Sequence, residues 1–200
     1  DMIVTGNMEQ AQFNDEVYYT KNMKRTDITT KAMNDFHSYV KKSIIVDNSK
    51  EGQNILDISC GRGGDLNHWL DSRFNLVIGI DLNRDNLENM NGACNRVLNQ
   101  YDSVKEKIND LLFIWGDSSL DFTNGEAGKD ELNKYYLDII YGNVLESSIK
   151  NEKLKRLHDV GNITNGNGFD VVSCQFSFHY FFKNIETLER VLLNISNSLK

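Results

Sequence analysis

Hydrophobic and polar positions follow two rhythms along this chain. Four short apolar runs, "NILDIS" (54–59), "FNLVIGID" (74–81), "LLFIWGD" (111–117) and "FDVVSCQF" (169–176), each give way to polar residues. Runs of that length, nearly continuous in apolar side chains, predict strands buried on both faces of a parallel sheet. Between them, 65–72 and 83–101 are compatible with helices, and "NIETLERVLLNISNSLK" (184–200) is strongly amphipathic. Upstream, residues 30–46, "TKAMNDFHSYVKKSIIV", set Met33, Phe36, Val40 and Ile44 near helical spacing, which predicts an N-terminal helix leading into the domain. Alternating strand and helix gives an α/β fold with an open sheet. Residues 121–168 break the rhythm: their ends are rich in Asn, Gly and Lys and their middle is helical, so they are expected to form an insertion. Only four strands are clear and residue 200 lies in a helical pattern, so 1–200 is expected to be one domain whose C-terminal part is missing.

Composition narrows the class. Two hundred residues at 40% hydrophobic content suit a single buried core. A net charge of −7 argues against broad, non-specific binding to a phosphate backbone, so any nucleic acid must be held locally. "KNMKR" (21–25) and Lys41-Lys42 are the basic clusters available for that. Cys60, Cys94 and Cys174 are odd in number and far apart, which fits reduced thiols, and no Cys/His spacing predicts a metal. "DMIVTGNMEQ" lacks the basic, apolar and small-residue regions of a signal peptide. An intracellular protein without a membrane partner is expected: host cytoplasm or virion for a viral source, nucleus for a cellular one.

The chemistry centres on "DISCGRGGD" (57–65), which follows the first strand and holds three glycines in four positions. Ligands of open α/β sheets bind beyond the carboxyl ends of the strands, where this turn falls. Gly61 and Gly63 match the start of the dinucleotide pattern G-x-G-x-x-G, but Leu66 occupies its third glycine, and no Walker lysine is present. A nucleoside without a pyrophosphate fits better. Asp81 ends the second strand 20 residues after Gly61, where a carboxylate can accept bonds from ribose hydroxyls. Asp117 and Ser118 end the third, placed to meet the exocyclic amine and ring of adenine. Asp57 can face a cationic methionine-like tail. Each acid also has an ordinary use, as a helix cap or a turn former. All three at successive strand ends favour S-adenosylmethionine, whose sulfonium and ammonium are both positive.

"NILDISCGRGGDLNHW", "GIDLN", "GDSS" and "FDVVSCQFSFHYFF" together resemble the mRNA cap guanine-N7 methyltransferases. Within that family the chain looks most like the methyltransferase domains of capping enzymes from large DNA viruses. The resemblance implies a class I S-adenosylmethionine-dependent methyltransferase of Rossmann-like fold. It implies a cofactor pocket of Lys41 on the methionine carboxylate, Asp57, Ser59, Gly61, Asp81, Asp117, Ser118 and Gln175. It implies a guanine-cap pocket of Asp65, Phe176, His179 and Tyr180, capped RNA as partner, and triphosphatase and guanylyltransferase domains fused or associated. Ser59 departs from the family's first glycine, Ser119 stands where some relatives have a tyrosine, and the family's later cap contacts fall beyond Lys200.

Guanine N7 carries a free lone pair, so its methylation needs no proton removed. His179 and Tyr180 are therefore expected to position the base in an in-line displacement, with no general base. Two alternatives share the cofactor site: a methyltransferase acting on a small metabolite, and a non-catalytic module that keeps the fold.

Overall fold

The computed structural model describes residues 28–200, so "KNMKR" and the N-terminal ten residues lie outside the described part. The predicted N-terminal helix is α1 (Ile28–Ile45), beginning two residues before the expected start. The four predicted strands are β1 (Asn54–Asp57), β2 (Leu76–Asp81), β3 (Asp110–Trp115) and β4 (Val171–Ser173). They form one parallel sheet in the order β3-β2-β1-β4. The chain builds outward from β1 through β2 to β3, then returns to place β4 on the other side of β1. That reversal makes the carboxyl ends of β1 and β4 the topological switch point, the position where such sheets open a crevice for a ligand.

Alternation along the strands divides the core. Leu56, Ile78 and Leu112 face one side of the sheet; Ile55, Val77, Leu111 and Phe113 face the other. The second side is covered by α2 (Leu66–Ser72), α4 (Ala93–Leu98), α5 (Tyr101–Lys107) and the end of α1, through Leu66, Trp69, Ala93, Val97, Val104 and Ile45. A further short helix, α3 (Arg84–Glu88), follows β2, so the region 83–101 is broken into short helices and not one long one. Gly79 lies in β2 because a Cβ there would come within 3 Å of the Phe113 ring.

The first side is covered largely by the segment expected as an insertion. Its helical middle is α6 (Glu131–Ile140), and a short α7 (Glu152–Lys155) follows. Phe122, Tyr136, Leu137, Ile140 and Leu157 are buried against the sheet, so 121–168 makes the β3-to-β4 crossover and part of the core. The apolar residues of α6 recur at helical spacing, and burying them on the sheet is what orders it. The predicted C-terminal helix is α8 (Ile185–Ser198), whose Val191 is buried in the same cluster. Among the described residues, no helix is long and apolar enough to cross a membrane.

Candidate active site

The glycine turn after β1 is built by its neighbours' carboxylates. Gly61 (φ +55°) and Gly63 (φ +65°) both occupy the left-handed region, which only glycine enters freely. The Gly61 N–H donates to Asp81 Oδ2 at 2.8 Å. Asp81 Oδ1 accepts from Asn83 N and Asn86 Nδ2, each at 3.0 Å. Asp81 therefore serves first as the brace between the turn and the start of α3. Three accepted bonds leave its four lone-pair sites room for about one more donor. Burial pushes its carboxyl above the usual range, opposed by Asn86, Asn83 and Gly61. Leu66, the residue that breaks the dinucleotide pattern, is buried in the core.

Asp57 is fully buried at 0% exposure. Its Oδ1 accepts the Ser59 N–H at 3.0 Å, whereas Oδ2 has no hydrogen-bond partner among the described residues. Burial, then the nearby Asp65 carboxylate, push its pKa from 3.8 up to about 7; the Ser59 N–H and the Lys41 ammonium pull the other way. A buried carboxylate with an open oxygen is costly until a cation or donor meets it. Asp65 begins α2 but makes no side-chain cap there. At 3% exposure it turns its Oδ2 to Lys41 Nζ at 2.9 Å and leaves Oδ1 unpartnered among the described residues. The lysine expected at the cofactor and the acid expected at the cap are thus an ion pair.

At the end of β3, Asp117 Oδ1 accepts from both the N–H and the hydroxyl of Ser119, at 3.0 and 2.5 Å. The turn-forming use of this acid is real, and its Oδ2 faces no hydrogen-bond partner among the described residues. The Ser118 hydroxyl donates to Ile58 O at 2.6 Å, so the Ser118 donor left for a ligand is the backbone N–H. Gln175, beyond β4, donates from Nε2 to Ser173 Oγ at 3.2 Å.

The loop after β4 carries the aromatic residues. Phe176 is 51% exposed with φ +59°, its ring centroid 4.5 Å from that of His37 on α1. Phe178 packs against the core, while His179 and Tyr180 are exposed with ring centroids 4.1 Å apart. Sequence reasoning missed three residues here. His37 sits four positions before Lys41, a spacing that alone could have flagged it. Asn86 holds Asp81, and Asn194, buried on α8, accepts from Phe122 N and donates to Ser118 O and Leu120 O.

A parallel sheet with acids at three adjacent strand ends and a glycine turn at the switch point defines a class I S-adenosylmethionine-dependent methyltransferase fold. A family model for the mRNA (guanine-N(7))-methyltransferase domain matches residues 7–200, and the chain belongs to that family. It is 28% identical over 191 residues to a probable mRNA-capping enzyme of Acanthamoeba polyphaga mimivirus, covering 92% of this chain and 14% of that protein. It is 25% identical over 194 residues to the mRNA cap guanine-N(7) methyltransferase of Candida glabrata, covering 97% of this chain and 37% of the relative. The Saccharomyces cerevisiae protein of the same name is 23% identical over 191 residues, with coverages of 96% and 35%. The chain therefore spans well under half the length of these curated relatives.

Proposed function

We propose that this chain transfers a methyl group from S-adenosylmethionine to N7 of the guanine cap of mRNA. The observation that carries the proposal is Asp57, a fully buried carboxylate with an unsatisfied oxygen at the switch point of the sheet. The residues around it fit the cofactor. Asp57 faces the positive end of the methionine part, and Lys41, with three donors on its ammonium, can meet the carboxylate while keeping Asp65. Asp81 offers the ribose its remaining acceptor capacity. Asp117 Oδ2 and the Ser118 N–H take the adenine edge, and Ser59, small and at the mouth of the turn, leaves the main chain accessible beside Gly61. When bound, S-adenosylmethionine supplies a methyl group on a sulfonium.

The guanine half of the site lies beyond β4. Phe176, His179 and Tyr180 offer exposed rings, and aromatic rings stack on bases and attract the cationic methylated product. Asp65 Oδ1, buried and without a partner among the described residues, is the acceptor assigned to N–H groups of the base edge. N7 has a lone pair in place of a proton, so His179 and Tyr180 hold and orient the base without acting as acid or base. Holding the reacting atoms in line can supply about 7–11 kcal/mol, and the acids around the turn favour the positive charge as it passes from sulfur to base.

The partner is capped RNA and the setting intracellular. The mimivirus relative's name and length support triphosphatase and guanylyltransferase functions fused to or associated with this one. The test is methyl transfer to a GpppA cap analogue against a panel of small metabolites. Transfer to the cap analogue is expected; transfer to metabolites alone overturns the substrate, and absence of S-adenosylmethionine binding in calorimetry overturns catalysis in favour of a non-catalytic module.

A further inference from the structure

Helix α1 touches both halves of the proposed site from one turn. His37 and Lys41 are four residues apart and share a face. Lys41 Nζ reaches Asp65 beside the glycine turn at 2.9 Å and lies 5.5 Å from the Phe176 ring centroid. The His37 ring lies 4.5 Å from the same ring, tilted by 34°. Phe176 itself sits at φ +59°, a left-handed conformation that an aromatic residue rarely adopts unless its surroundings hold it there. Half of it is exposed, so burial does not hold it there. Met33, Phe36 and Ile44 of α1 are exposed as well, whereas His37, Val40 and Lys41 are half-buried where the middle of the helix meets the domain.

We infer that His37 is a positioning residue: its ring holds Phe176 in the left-handed conformation that presents the phenyl ring at the guanine site. This role presupposes the cap proposal above and adds to it a side chain that does not touch substrate. Lys41 also approaches the Phe176 ring but carries the ion pair with Asp65, so His37 is the α1 side chain that supports Phe176 through a ring contact. Without His37 the loop relaxes from φ +59°, and binding guanine must first reorder it. The cofactor groups Asp57, Asp81 and Asp117 sit on other strand ends and keep their bonds. A flat ring is what the contact requires, so phenylalanine can replace histidine.

The test compares the full-length wild-type protein with His37→Ala and His37→Phe in methyl transfer to GpppA, alongside S-adenosylmethionine affinity by calorimetry. His37→Ala is expected to raise KM for GpppA about threefold to tenfold, the worth of one aromatic pair. Both kcat and cofactor affinity should stay within about twofold, the pattern of lost substrate binding, with His37→Phe close to wild type. Three results overturn the inference: an unchanged KM in His37→Ala, a His37→Phe variant as impaired as His37→Ala, or an equal loss of cofactor affinity. A wild-type protein that neither binds nor methylates GpppA overturns the cap proposal itself, a failure distinct from an active protein indifferent to residue 37.

Discussion

Replacing Asp57 by asparagine should stabilise the ligand-free protein while destroying its cofactor site. The carboxyl is fully buried, has one satisfied oxygen, and titrates at about 7 instead of 3.8. Between those values the folded protein holds a proton that the unfolded chain has released. The native state then binds more protons than the unfolded state, so stability is greatest below the unfolded pKa and is lost as pH rises through the folded one. At about 1.4 kcal/mol per pH unit, the shift amounts to about 4 kcal/mol lost by pH 8. Asparagine keeps the acceptor for the Ser59 N–H, with no charge to bury beside the Asp65 carboxylate. Urea unfolding of wild type and Asp57→Asn from pH 5 to 8 is the assay. The wild-type midpoint should fall with pH, while the variant's should be flatter and higher at pH 8. A wild type whose stability is flat, or a variant less stable than wild type at pH 8, would refute the placement of a strained acid here. In the proposed site the charged carboxylate meets the cofactor, so wild-type affinity for S-adenosylmethionine should rise as pH passes through about 7, with proton release seen in calorimetry in different buffers.

Three other perturbations follow from the same contacts. Lys41→Met removes the partner of an acid that is 3% exposed and should cost about 1–3 kcal/mol in urea unfolding, besides weakening cofactor binding; no change would mean that the Lys41–Asp65 pair is absent in solution. Asn194→Leu strips the 118–122 loop of three hydrogen bonds to α8 and should lower stability by about 2–4 kcal/mol, seen as a lower thermal midpoint. His179→Ala should reduce cap binding and rate together while leaving the pH–rate profile without a lost limb; a wild-type rate that climbs with deprotonation of His179 would contradict its positioning role.

The strands and their acids were legible because buried parallel strands read as unbroken apolar runs and the turns after them concentrate polar chemistry. What those acids touch was not. Asp81 spends three acceptor sites on Gly61, Asn83 and Asn86, and Ser118 spends its hydroxyl on Ile58, because loops without regular structure need side chains to satisfy their backbone. In segment 121–168 the helical middle was legible and its packing was not, for a related reason. Its Asn- and Gly-rich ends are turns stitched by their own side chains, as where Asn162 and Asp159 accept bonds from neighbouring residues, while its apolar positions cover the sheet. In α1 the apolar spacing points to Met33, Phe36, Val40 and Ile44, yet of these only Val40 is half-buried, and it shares the face toward the domain with His37 and Lys41. The Lys41–Asp65 ion pair, 24 residues apart, and the ring contact between His37 and the distant Phe176 leave no periodic trace, so what His37 touches emerged only from the structure.

The most direct measurement is to incubate the protein with GpppA and S-adenosylmethionine carrying an isotope-labelled methyl group, and to locate the label by NMR. The account predicts a single labelled methyl on guanine N7, formed without need of an added base. Label on a ribose oxygen or an exocyclic amine, or no transfer by a protein that binds both ligands, would contradict it.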